Sequence, residues 1–182
     1  METVIRKGIV QILKDNMMLL RIPVRQKSKF EGWLKFELAH YLEETGMENV
    51  EVETKAFYRR DRTDITFFSN GEPYSLELKT PNTNWKIGGV SDNRRPITKN
   101  IQSVIDDAKK LNSRHGIVAF VLFPVPFGDS RWQFYIDRIN EKTGLNVSAE
   151  SNCDQVDMNV DEGNKCSLII CSFMSKRFSN WP

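Results

Sequence analysis

The sequence predicts an α/β protein built around a mixed sheet, and three observations carry that expectation. Apolar residues recur at helical spacing near the N-terminus, the period drops to two between residues 50 and 80, and a second helical pattern leads into a continuous apolar strand. The resulting order is helix, three strands, helix, strand. The first strands form a meander and the last is reached through a crossover helix, which requires antiparallel and parallel pairing in one sheet. At 182 residues the chain can bury a core without disulfide staples, and residues 1–182 are read as one domain.

Ile5, Ile9, Ile12, Leu13, Met17 and Leu20 mark the apolar face of a first helix, expected over residues 2–20 and ending before Pro23. Residues 21–29 then carry four basic side chains. Ser28 followed by Glu31 reads as a capping box opening a second helix, with a stripe of Phe30, Trp33, Leu34, Leu38, Tyr41 and Leu42 and a stop at Gly46. Strands are expected over 50–58, 63–69 and 74–80, the last two joined by Asn70-Gly71, whose residues tolerate the left-handed backbone of a tight hairpin. The polar stretch 81–95 is long for a connection and implies a task or mobility, and Pro96 sits where a first helical position belongs. Ile97, Ile101, Val104, Ile105, Ala108 and Leu111 give the crossover helix, closed by Gly116, and 117–123 gives the apolar strand. Asp129 or Ser130 would cap a further helix through Trp132, Tyr135, Ile136 and Ile139 to Gly144. Residues 145–147 and 168–173 read as strands, with an acidic loop over 152–165 between them.

Composition excludes several classes. With 40% hydrophobic and 27% charged residues the chain is not disordered in the main, and 26 basic against 24 acidic residues leave a formal charge of only +2. Bulk charge therefore gives no reason to expect nucleic acid; local clusters must supply it. The longest apolar run, 116–125, is too short to span a bilayer, so a cytoplasmic protein with no membrane partner is expected. Cys153, Cys166 and Cys171 are odd in number and lack C-x-x-C spacing, which argues against a disulfide framework and a structural zinc site. His40 and His115 also lack metal-ligand spacing, and Asp154, Asp157, Asp161 and Glu162 do not follow the ordered calcium-loop pattern.

The chemistry lies in the strands. Alternation puts Leu76 and Leu78 on one face and Glu77 and Lys79 on the other, and a register across the Asn-Gly hairpin would set Asp64 beside Glu77. Two adjacent carboxylates repel unless a cation lies between them, and a hard divalent ion such as magnesium meets that need through oxygen ligands. In metal-free protein the repulsion predicts that Asp64→Asn is stabilising. Lys79 would orient a water or offset developing charge in phosphodiester hydrolysis. Glu37 is a further anomaly, a carboxylate within the stripe of Trp33, Leu34, Leu38 and Tyr41. The competing interpretation is a solvated strand face with an edge glutamate reaching water.

The succession of a helix carrying Glu37, then T-D-I-T with Asp64, then S-L-E-L-K with Glu77 and Lys79 resembles the PD-(D/E)XK nuclease superfamily over about residues 30–123. Thr63, rather than proline, precedes Asp64. The resemblance implies a restriction-endonuclease-like αβββαβ core, a mixed central sheet flanked by helices, to which this chain adds an N-terminal helix and C-terminal helix and strand elements. It implies Mg²⁺, with Mn²⁺ able to substitute, held by Asp64 and Glu77 with support from Glu37, while Lys79 assists the water. The expected activity is nuclease, a DNA endonuclease by family analogy, and the alternative is a catalytically silent nucleic-acid or protein binding module. Phosphate contacts are expected from Arg59, Arg60, Arg62, Lys86, Arg94, Arg95 and Lys99, with Gln102 lending a polar group from the crossover helix. Gly88-Gly89 would let the loop close over a strand, Trp85 is read as a capping hydrophobe, and a homodimer is compatible with the fold.

Overall fold

The computed structural model describes residues 1–55, 62–92, 96–111 and 115–176. In chain order the elements are α1 (Glu2–Asp15), α2 (Met17–Gln26), α3 (Glu31–Glu44), β1 (Glu48–Lys55), β2 (Arg62–Ser69), β3 (Glu72–Lys79), α4 (Ile97–Leu111), β4 (Gly116–Pro126), α5 (Gln133–Thr143), α6 (Ala149–Asn152), β5 (Cys153–Asn159) and β6 (Lys165–Met174). The six strands form one sheet in the order β1-β2-β3-β4-β6-β5. Only β3 and β4 are parallel; the other neighbours are antiparallel. The protein is therefore α/β with a mixed sheet flanked by helices.

Two apolar layers sandwich the sheet. On one face Ile65, Phe67, Leu76, Leu78, Ala119 and Val121 pack against α1, α2 and α3. On the other, Val118, Phe120, Leu122 and Ile169 pack against α4 and α5. Strand β4 is buried over nearly its whole length because both faces are covered, which is why its sequence is continuously apolar. The edge strands differ: β1 exposes Glu48, Glu51, Glu53 and Lys55, and β5 exposes Asp154, Gln155 and Asp157.

Several expectations need correction. The first helical segment is two helices, broken at Asn16, and Pro23 lies inside α2 rather than beyond its end. The predicted acidic loop over 152–165 begins at the last residue of α6 and contains β5, while 145–147 is not a strand. In β5 only Val156 and Met158 are fully buried, so outward acids disguise an edge strand as a loop. Helix α3 has no side-chain cap, so Ser28 and Glu31 are not a capping box, and neither Asp129 nor Ser130 caps α5. Gly116 begins β4, so α4 has already ended when the chain reaches it. The Asn70-Gly71 turn is as expected, with φ of 52° and 76°.

The connection after β3 is anchored rather than free to close. Asn82 forms a parallel bridge with Phe123, and the Thr83 amide donates to the Phe123 carbonyl at 2.7 Å. Asn100 on α4 donates to both the carbonyl and the side-chain oxygen of Asn82 at 2.8 Å, and the Lys27 ammonium donates to the Trp85 carbonyl at 2.9 Å. Gly88 and Gly89 press against Asn164 and Asp161 in the β5–β6 turn, so closely that an added Cβ would sit 2.1 Å from a side-chain oxygen in each case. These glycines serve a close approach, and the closing-loop expectation does not hold for this part of the segment.

Candidate active site

The hairpin fixes the position of Asp64 relative to Glu77. Ile65 pairs with Leu76 and Thr66 with Ser75, so Asp64, just before Ile65, falls opposite Glu77, just after Leu76. Leu76 and Leu78 enter the α3-side core, and alternation turns Glu77 and Lys79 toward α4. The Lys79 ammonium lies 3.6 Å from Asp64 Oδ2, 3.9 Å from Glu77 Oε2 and 3.2 Å from the Leu78 carbonyl oxygen. The Leu78 amide donates to Asp64 Oδ2 at 2.9 Å, tying the two strands together at the cluster. Thr63, in the place of the expected proline, is buried and donates its hydroxyl to the Leu76 carbonyl at 3.1 Å.

Helix α3 reaches the cluster from one side through Glu31 and Lys35. Glu31 Oε1 is 3.5 Å from Lys79 Nζ, and its Oε2 accepts the Thr80 amide at 3.2 Å. Lys35, one turn later on the same face, bridges Asp64 Oδ1 and Glu53 Oε1, each at 2.9 Å. Glu37 lies about 200° around the helix from Lys35. It shares its side with Trp33 and Tyr41, and the Tyr41 ring packs onto Gly8 of α1, where a Cβ would be 2.5 Å from the ring. Glu37 therefore faces the α1 side, and the carboxylate from α3 in the cluster is Glu31.

Helix α4 supplies Asp107 and Lys110 from the flank of its apolar stripe. Asp107 Oδ2 is 3.3 Å from Lys79 Nζ, and Lys110 Nζ is 2.8 Å from both Glu77 Oε1 and the Arg62 carbonyl oxygen. Gln102 lies toward the outer side of α4, bonded to Asp106 at 3.0 Å, and Lys86 and Lys99 are exposed. Arg62 begins β2 beside the cluster, whereas Arg59, Arg60, Arg94 and Arg95 lie outside the described residues. Trp85 packs on the α4-side core, 6.0 Å from Tyr135, with the Arg131 guanidinium 5.4 Å above its ring.

The two central acids are electrostatically unequal. Burial pushes the Glu77 carboxyl up, and Asp64 and Asp107 add to it; even with Lys110 bonded to it, the value reaches about 7. Burial also disfavours the Asp64 anion, but the Leu78 amide, Lys79 and Lys35 outweigh burial and hold it below the ordinary range. Lys79 resists its own burial because Asp107, Glu31, Asp64 and Glu77 surround it, and it stays protonated well above the usual lysine value. Burial likewise raises Asp107, against the pull of Lys79 and Lys110.

Oxygens of Asp64, Glu77 and Leu78 are the ones that could hold a hard divalent cation here. Five carboxylates, Glu31, Glu53, Asp64, Glu77 and Asp107, face three ammonium groups, Lys35, Lys79 and Lys110, so negative charge is in excess when all are ionised. Oxygens of Asp64, Glu77 and Leu78 already gather within 3.9 Å of one cationic nitrogen, that of Lys79. Among the described residues no three His, Cys, Asp or Glu side chains are grouped to hold a metal. Magnesium, however, commonly takes one or two carboxylates and keeps several waters. Comparison with protein-family models, curated proteins and solved structures finds no match, so the chemistry of the cluster must be read from its own residues.

Proposed function

We propose that the chain is a metal-dependent nuclease with a restriction-endonuclease-like core of the PD-(D/E)XK type, hydrolysing phosphodiester bonds with DNA as the preferred substrate. The observation that carries this reading is the cross-strand opposition of Asp64 and Glu77 beside Lys79, where α3 and α4 both reach the sheet. The order α3-β1-β2-β3-α4-β4 supports it, since it is the αβββαβ succession that the motifs imply. Asp64, Glu77 and the Leu78 carbonyl would hold Mg²⁺, with Mn²⁺ as a substitute. When bound, such an ion polarises a phosphoryl oxygen and lowers the pKa of a coordinated water.

The side chains divide the remaining work. Lys79, kept protonated by its acidic neighbours, cannot serve as a base near neutral pH; it donates to the attacking water and offsets charge on the phosphate. The attacking water gives up a proton as its oxygen adds to phosphorus, an ester P–O bond breaks, and the leaving oxygen takes up a proton, so none is gained or lost overall. Glu31 and Asp107 hold the Lys79 ammonium in place, and the support expected from Glu37 passes to Glu31. Lys35 and Lys110 balance the acids before a cation binds.

Incubating the protein with supercoiled, linear and single-stranded DNA, and with RNA, in Mg²⁺, Mn²⁺ or EDTA tests the proposal. Cleavage is expected with metal and not in EDTA, and Asp64→Asn should abolish it. Cleavage surviving EDTA or Asp64→Asn would overturn the assignment. One observation favours the second reading, a silent binding module: Lys35 and Lys110 already pair with Asp64 and Glu77 at 2.9 and 2.8 Å. That reading predicts metal-independent binding of nucleic acid or protein, with no cleavage under any condition.

A further inference from the structure

Outside the candidate active site, β5 and β6 bring two thiols together. Their antiparallel register sets Cys153 directly opposite Cys171. The Cys153 amide donates to the Ala149 carbonyl within α6 instead of across the ladder, which marks the two cysteines as a non-hydrogen-bonded pair. Such pairs have Cα atoms about 4.5 Å apart, within the roughly 4.4–6.8 Å that a disulfide spans. Burial, with the Cys153 thiol beside it, pushes the Cys171 thiol well above its ordinary range. Cys171 is fully enclosed in the α4-side core, whereas Cys153 is half-buried and lines an open cavity of about 490 Å³ together with Trp132, Ile136, Val147 and Gln155. Cys166 is five residues before Cys171 on the same strand and so points to the opposite face, into the α1-side core.

We propose that Cys153 and Cys171 are an oxidant-reactive thiol pair, Cys153 meeting hydrogen peroxide through the cavity and Cys171 closing an intrachain disulfide behind it. Cys153 Sγ attacks a peroxide oxygen, the O–O bond breaks, and the departing hydroxide takes the thiol proton as water. Cys171 Sγ then attacks Cys153 Sγ; the S–S bond forms, the S–O bond breaks, and the second hydroxide leaves as water with the Cys171 proton. Two thiols lose two electrons and the peroxide gains them. Burial keeps Cys171 protonated, so the enclosed thiol waits on the sulfenic acid formed beside it.

The folded full chain is treated with hydrogen peroxide, quenched, denatured and its thiols counted, with the intact mass measured in parallel. The three thiols should fall to one, with loss of two hydrogen atoms and no added oxygen. In a Cys166→Ser background a peptide linking residues 153 and 171 should appear and disappear on reduction. Cys171→Ala, checked for folding by its thermal melt, should instead stop at a sulfenic acid that dimedone captures on Cys153. Retention of all three thiols, a bridge to Cys166, an interchain dimer, or addition of oxygen to Cys153 in the wild type would each overturn the proposal.

Discussion

Replacing Glu77 by glutamine should stabilise the metal-free protein above neutral pH and destabilise the metal-loaded one. The Glu77 carboxyl rises to about 7 in the folded chain from an ordinary 4.5, so between those values the folded state binds more protons than the unfolded. Stability from this group is therefore complete below about pH 4.5 and is lost as pH rises through about 7. At about 1.36 kcal/mol per pH unit, the interval from 4.5 to about 7 caps the loss near 3 kcal/mol. Glu77 shares its field with Asp64 and Asp107, so part of that loss remains in their titrations and about 1–2 kcal/mol is expected for the isolated substitution. Urea melts of wild type and Glu77→Gln in EDTA at pH 5 and pH 8 would read it as near-equality at the lower pH and a more stable variant at the higher. Excess Mg²⁺ at about 100 times its dissociation constant should add roughly 2.7 kcal/mol to the wild type and much less to the variant, reversing the order. A variant less stable than wild type in EDTA at pH 8 would refute the assignment of buried repulsion to Glu77.

Asp64→Asn should behave oppositely in EDTA: it loses charge-assisted bonds to Lys35 and Leu78, so a destabilisation of about 1–3 kcal/mol is expected in the same melts. Lys79→Ala should lower cleavage by about 100-fold or more while calorimetry still shows Mg²⁺ binding; a variant that binds no metal would show that its ammonium is needed to build the site. Glu31→Gln should reduce cleavage by about tenfold or more and Glu37→Gln should leave it near wild type, because of these two α3 glutamates it is Glu31 that pairs with Lys79; the reverse ranking in a plasmid-nicking assay would restore Glu37 to the site. Gly89→Ala should cost about 1–3 kcal/mol in thermal or urea unfolding, since φ is +73° and the new Cβ meets Asp161; an unchanged midpoint would mean that the connection after β3 is not clasped there.

The parts of the site legible in the sequence are those governed by local rules. Strand alternation places Glu77 with Lys79, and the turn-forming Asn70-Gly71 pair fixes the register that brings Asp64 across from them. Glu31 was disguised because a glutamate three residues after a serine satisfies the capping rule, while its real partners, Lys79 and Thr80, come from a strand almost fifty residues away. Asp107 and Lys110 sit beside the apolar stripe of α4, where a polar flank looks like ordinary solvated surface until the packing angle of the helix is known. The repulsion between Asp64 and Glu77 was foreseeable, but its uneven division was not. It depends on Lys35, whose helix position gives no hint that its ammonium ends between Asp64 and Glu53. Strand β5 is hard to read in the sequence for a related reason, since only two of its residues, Val156 and Met158, are fully buried.

The charged borders of the sheet set a rule for how copies of this chain can meet. Beyond β1 an approaching strand would find a row rich in glutamate, and beyond β5 it would find Asp154 and Asp157. Lining up two identical borders would set like charges against each other, which disfavours growth of the sheet by addition of strands, the usual route to fibrils. Large apolar side chains open to solvent lie off both borders, Met18, Leu19 and Ile22 on α2, Phe36 on α3, Phe134 on α5 and Phe127 just after β4. The acidic borders thus oppose extension of the sheet beyond its six strands at either end.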